Sequence, residues 1–246
     1  MTTLAIIGGS GLTKMDALEI TRREVVNTPY GEPSSPLIHG CFDGLDIVFL
    51  PRHGAGHTIP PHKINYRANI WALKHIDVDY IVGMATVGGI RDDMAPETIA
   101  IPDQIIDYTW GRGNTFFEND LSEVTHIDFT QPYCKRLREA LIAAADDAGL
   151  DIIKDGTYGA TQGPRLETAM EIKRMQNDGC DLVGMTGMPE AALAKELELC
   201  YAHCSVVANW AAGKTDIAIT MENIEKHMKQ GMSKVYALLE NLGTHL

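Results

Sequence analysis

Five separated stretches of this sequence set polar side chains at points where an apolar run stops, and those points decide what chemistry the chain can do. LAIIGGSGLT, residues 4–13, breaks a β-branched run with three glycines around Ser10. Glycines after a strand leave backbone amides open, and with one hydroxyl they suit a phosphate-sized anion. LPRHGAGHTIPPHK, residues 50–63, ends a second run in Arg52 and His53. The guanidinium fork matches phosphate oxygens and the histidine adds a donor. VGMTGMPEAALAKE, residues 183–196, brings the Thr186 hydroxyl to a third run's end, beside Met185. Two stretches are suited to a different ligand surface. In ATQGPRLETAMEI, residues 160–172, Glu167 stands just before Thr168, a helix cap, where a carboxylate is favoured. In CSVVANWAAGK, residues 204–214, an apolar run stops at Asn209, whose amide both donates and accepts and so fits the edge of a heterocycle.

Each residue also has a plainer use: Arg52 can pair with a surface acid, His57 and His62 can merely shape their loop, and Asn209 can satisfy loop backbone. A dinucleotide turn is disfavoured by spacing. The fingerprint G-x-G-x-x-G needs a third glycine, but from Gly9 the register runs Gly9, Gly11, Lys14. Glu32, near where its ribose-binding acid would fall, lies among Pro29, Gly31, Pro33 and Pro36. A single-phosphate turn is the surviving reading.

The elements that must position these residues follow from pattern. Strands are expected over residues 4–7, 37–42, 45–50, 80–84, 98–101, 152–160, 182–185 and 201–208, with a tight hairpin at Asp43-Gly44 making the sheet mixed. Helical stripes join Ile64, Ala68, Trp71, Ala72 and His75, then Leu137, Leu141, Ala144 and Ala148, then Met221 through Met228 to Leu242. Thr168 with Glu171 forms a capping-box pattern, and Pro189 suits a first helical turn. The 246 residues, 45% hydrophobic, suffice for one α/β domain spanning 1–246: three layers with a mixed central β-sheet flanked by helices.

Composition excludes several classes. A net charge of −12 repels a nucleic-acid backbone. No apolar run is long enough to span a bilayer and no signal-type leader is seen, so no membrane partner and a cytoplasmic setting are expected. Cys41, Cys134, Cys180, Cys200 and Cys204 lack metal-ligand spacing and are expected to be reduced thiols filling core space.

Taken in order, the five motifs resemble the methylthioadenosine phosphorylase branch of the trimeric purine nucleoside phosphorylases, over nearly the whole chain. The resemblance implies transfer of a nucleoside's sugar to inorganic phosphate, the co-substrate, with no metal or organic cofactor, in a homotrimer or a hexamer of paired trimers. It implies that Ser10, Arg52, His53, Thr86 and Thr186 hold phosphate, with Ala85 in the same stretch lacking a hydroxyl that some relatives carry. Asn209 and His53 are the expected catalytic residues, Asn209 donating to the departing purine. Met185 would lie against the ribose, Met221 and His126 of a neighbouring subunit at the sugar's methylthio end. Leu166 stands where an aromatic residue often stacks on the base. Where 6-aminopurine enzymes carry two aspartates one residue apart, this chain has Asn209 and Ala211, and Glu167 matches the base-holding carboxylate of 6-oxopurine enzymes. The resemblance therefore implies S-methyl-5′-thioinosine as preferred substrate, ahead of methylthioadenosine or inosine.

Overall fold

A computed structural model describes residues 2–9, 18–119, 122–216 and 219–246. The first strand shows why the fold has three layers. In β1 (Thr3–Gly8) every residue after Thr3 is buried. Leu4 and Ile6 enter one apolar cluster, and Ala5 and Ile7 enter another. A strand buried on both faces requires helices on both sides.

The sheet has ten strands: β1, β2 (Glu19–Glu24), β3 (Leu37–Phe42), β4 (Leu45–Pro51), β5 (Tyr80–Gly89), β6 (Ile99–Ala100), β7 (Gln104–Asp107), β8 (Thr157–Ala160), β9 (Leu182–Gly184) and β10 (Cys200–Trp210). Their order is β2-β3-β4-β1-β5-β9-β8-β7, with β10 along β5 and β6 beside β10. Among the described residues five α-helices cover it: α1 (Tyr66–His75), α2 (Lys135–Asp147), α3 (Ala169–Asn177), α4 (Gly187–Glu196) and α5 (Met221–Leu242). Residues of α2 and α5 pack in the cluster of Leu4 and Ile6; those of α1 and α4 pack in that of Ala5 and Ile7. One α/β domain with a mixed sheet is what the periodicity predicts. The turn joining β3 and β4 has Asp43 and Gly44 at φ 49° and 78°, the left-handed pair that a two-residue hairpin demands.

Several expectations are corrected. Cys134 and Cys200 are not thiols but a disulfide, their Cα atoms 5.1 Å apart across 66 residues of sequence. Spacing rules see only neighbours along the chain; here the start of α2 is laid against the start of β10 by tertiary packing. Strands β2 and β7 are additional to those expected: β2, EITRRE, is almost entirely exposed and shows no apolar alternation. The strand expected over 152–160 is regular only from Thr157. In α1 the buried side is set by Tyr66, Ile70 and Leu73 as well as Ala68 and Ala72, while Trp71 is half-buried, packing against the edge of that cluster and stacking on His75. In α5 the fully buried stripe begins at Gly231, with Met228 half-buried against the same cluster; Met221 is 67% exposed and forms no part of it.

The path of β5 opens the site. On one edge β10 follows it from Tyr80 to Gly89. On the other, β1 pairs with Tyr80 to Gly83 and β9 with Gly88 and Gly89. Between those partners the edge of β5 over residues 84–87 has no strand beside it among the described residues, and a break in a sheet at strand ends is where ligands enter α/β folds.

Candidate active site

A cleft of about 430 Å³ lies at that break. Its walls come from five strand ends: Gly9 after β1, His53 and residues 57–61 after β4, Ala85 to Gly88 on β5, Met185 and Thr186 after β9, and Ala208, Asn209, Ala211 and Ala212 around the end of β10. Leu166 and Glu167 close one side, and Ile219, Met221 and Ile224 another. Of the residues singled out from sequence, His53, Ala85, Thr86, Leu166, Glu167, Met185, Thr186, Asn209, Ala211 and Met221 therefore share one cavity. Ser10 lies outside the described residues. His126 is exposed and does not line the cleft of its own chain.

Arg52 departs from expectation in an informative way. It is fully buried beneath the cleft rather than lining it, and it pairs with a buried acid rather than a surface one. Nε and Nη2 donate to the two Glu190 carboxylate oxygens at 2.7 Å each; Nη1 donates to Met84 O at 2.7 Å and Nη2 to Ile7 O at 3.1 Å. Ile7 is the last β1 residue in register with β5 and Met84 is the first β5 residue beyond that pairing, so the guanidinium ties the two strands together where they part. Four of its five N–H donors are thus committed. Nη1 lies under Gly9, where any Cβ would come within 3.0 Å of it. Tyr201 Oη donates to Glu190 Oε1 at 2.9 Å, and a Cβ on Gly83 would fall 2.8 Å from that same oxygen. Burial opposes the Arg52 charge, but the Glu190 carboxylate outweighs it and holds the group protonated above its ordinary range. Glu190, Tyr201 and the neighbouring buried His203 escaped the sequence reading because nothing local distinguishes them from helix and strand interior residues.

His53 is corrected from donor to acceptor. Its Nδ1 meets Ile59 O at 2.8 Å, and only a protonated nitrogen can bond a carbonyl. Burial pushes its pKa down to about 4, the Ile59 carbonyl opposing and Arg52 and His57 reinforcing the shift. The ring is therefore neutral at physiological pH, with a bare Nε2 that accepts. Beside it the Thr186 hydroxyl is buried and has no hydrogen-bond partner among the described residues. An unsatisfied buried hydroxyl in a cavity wall costs about 1–3 kcal/mol unless a ligand completes it. Together a neutral acceptor and an unpartnered hydroxyl suit a protonated oxyanion such as hydrogen phosphate.

The opposite wall carries the other polar pair. Glu167 precedes α3, whose cap is the full reciprocal box between Thr168 and Glu171. Glu171 thus serves the helix end, leaving Glu167 free to turn into the cleft. Thr161 Oγ1 donates to Glu167 Oε1 at 2.6 Å, so one carboxylate oxygen is fixed and the other remains for a ligand. Asn209 owes its direction to a bulge: the β5 register runs Val207 to Val87, then Asn209 to Gly88, leaving Ala208 as the extra residue. Such bulges re-aim a side chain. Asn209 Nδ2 gives one hydrogen to Trp210 O at 2.7 Å, which sets the amide plane and keeps the second hydrogen available. Among the described residues no cluster of His, Cys, Asp or Glu could hold a metal ion, and no helix is long and apolar enough to cross a membrane.

The chain is similar to known proteins over almost its whole length. Residues 3–242 match the family described as the phosphorylase superfamily. A probable S-methyl-5′-thioinosine phosphorylase of Pseudomonas syringae is 52% identical over 239 residues, covering 97% of both chains. A 6-oxopurine nucleoside phosphorylase of Pyrococcus furiosus is 45% identical over 244 residues, covering 97% of this chain and 91% of its own. Among solved structures, a methylthioadenosine phosphorylase of Schistosoma mansoni in complex with adenine superposes with a TM-score of 0.94 at 31% identity, covering 99% of this chain and 91% of that one.

Proposed function

Because this chain belongs to the phosphorylase superfamily and is a purine nucleoside phosphorylase, we propose that its substrate is a 5′-methylthio purine nucleoside with a 6-oxo base, S-methyl-5′-thioinosine preferred. Inorganic phosphate is the co-substrate; free base and 5-methylthioribose 1-phosphate are the products of this salvage reaction. The observation that carries the reading is the pairing of Glu167 with Asn209 across one cleft from His53 and Thr186.

Breaking the glycosidic bond builds positive charge on the sugar and negative charge on the base. Catalysis then needs an anion held beneath the sugar and a donor at the base. Phosphate supplies the attacking oxygen, so no protein nucleophile, metal or organic cofactor is required. His53 Nε2 would accept the P–OH proton, and Thr186, Thr86 and the backbone at Gly9, Ser10 and Ala85 would orient the other oxygens, with the remaining Nη1 hydrogen of Arg52 beneath. A 6-oxopurine presents a ring N–H to the free oxygen of Glu167 and a carbonyl to the remaining Asn209 hydrogen. A 6-aminopurine would turn a ring lone pair toward the carboxylate, a mismatch of about 1–3 kcal/mol. Ile219, Met221 and Ile224 form an apolar end to the cleft, which favours a thioether over a hydroxyl.

Assembly belongs to the proposal too. His126 is exposed and off the cleft of its own chain; in a trimer, alone or paired, it would reach the sugar's far end from a neighbouring copy. A cytoplasmic setting, where free phosphate and nucleoside meet, completes it. The test is kcat/KM for S-methyl-5′-thioinosine, S-methyl-5′-thioadenosine and inosine, with and without phosphate. The expected order is as written, with no turnover lacking phosphate. Equal or faster turnover of the adenosine compound overturns the base assignment, and inosine at parity overturns the methylthio one.

A further inference from the structure

We infer that Arg112 is a positioning residue that makes binding at the base wall and at the phosphate floor interdependent. β7, β8 and β9 run parallel, so the segments that follow them leave the sheet at the same end. The segment after β8 leads to Glu167, the one after β9 holds Met185 and Thr186, and Arg112 sits in the one after β7. Its guanidinium joins all three. Nη2 donates to Thr161 O at 3.2 Å and Gln162 O at 2.9 Å, and Nε to Gln162 Oε1 at 3.2 Å. Nη1 faces Met185 O at 2.9 Å, Met188 O at 2.5 Å and Tyr66 Oη at 3.2 Å.

The two halves of the fork thus grip opposite walls of the cleft. Nη2 and Nε hold the residues that fix Glu167, since Thr161 itself bonds that carboxylate. Nη1 holds the carbonyls that bracket Thr186. Arg112 does not line the cavity, so its effect passes through these segments. A planar fork that spans both walls transmits ordering from one to the other; a single ammonium lacks the reach. Sequence reading passes over the residue because most of its partners are backbone carbonyls, which carry no residue identity.

The inference rests on the proposed assignment of base and phosphate to the two walls. Its test is calorimetric: affinity for hypoxanthine with and without saturating phosphate, and for phosphate with and without hypoxanthine, in the wild type, Arg112→Met and Arg112→Lys. Interdependence of about ten-fold, equal in both directions as linkage requires, is expected in the wild type. Arg112→Met should reduce it to under about two-fold, with Arg112→Lys between. Wild-type interdependence retained in Arg112→Met, whatever its thermal stability, would overturn the inference, as would its absence from the wild type. If Arg112→Met does not fold, Gln162→Met, which removes the oxygen that accepts from Arg112 Nε and from Trp110 N while leaving the backbone acceptors of Nη1 and Nη2, replaces it: reduced interdependence supports the inference and an unchanged value overturns it. An adenine arm keeps the two readings apart. Adenine binding in place of hypoxanthine would refute the 6-oxo assignment while still reporting the interdependence.

Discussion

The floor and the wall of the cleft are built in opposite ways. Beneath the phosphate side lies a fully buried network, Arg52 with Glu190 and Tyr201, in which every carboxylate oxygen is bonded and the guanidinium ties β1 to β5 where they part. On the base side Glu167 is half-buried, held by one threonine bond, and flanked by Leu166 at 47% exposure. The contrast teaches a division of labour. On the proposed assignment, phosphate is held above groups locked into the core, where a change disturbs the fold, whereas base choice and base departure rest on groups at a rim, where a change leaves the fold intact.

Breaking the floor should have the largest effect. Glu190→Ala leaves a buried guanidinium unpaired and should lower unfolding free energy by about 3–5 kcal/mol in denaturant titration, abolishing turnover with it. A loss under about 1 kcal/mol would show that the network relaxes and that the two regions do not differ in kind. On the wall, Asn209→Ala should fold normally yet lower kcat by about 10²–10³, since it removes a donor aimed at developing charge, with phosphate KM little changed. Smaller still, Asn209→Asp should shift the ratio of kcat/KM toward the 6-amino nucleoside by roughly ten-fold or more, and an unchanged ratio would remove Asn209 from base selection.

The most modest effect concerns pH. The folded pKa of His53 lies near 4 against 6.5 ordinarily, so between those values the unfolded chain binds a proton that the folded chain refuses. Its contribution to stability is complete above pH 6.5, declines as pH falls toward 4, and levels off below that. Buried His203, pushed down to about 3 by desolvation and then Arg52, acts in the same direction. Thermal midpoints measured from pH 7 to 4 should fall, and His53→Gln should flatten that slope. A slope unaltered by the substitution would mean that the floor histidine is not held neutral by burial.

What the sequence determined by itself was anything governed by neighbours along the chain. Two-fold alternation and continuous apolar runs located most strands, the Asp43-Gly44 turn forced a hairpin, and Thr168 with Glu171 started a helix, because propensity, capping and turn chemistry act within a few residues. Strand ends rich in polar groups marked His53, Glu167, Met185, Thr186 and Asn209 for the same reason, while Ala85, Thr86, Leu166, Ala211 and Met221 came from the family resemblance. What only the tertiary structure decided depended on distance in space: the Cys134–Cys200 bridge, the burial of Arg52 against Glu190, the tautomer that turns His53 from donor to acceptor, and the release of Met221 from its helix stripe into the cleft. Those outcomes depend on burial and on partners tens of residues away, and hydrogen bonds made to anonymous backbone carbonyls, as at Arg112, leave no trace in the letters of the chain.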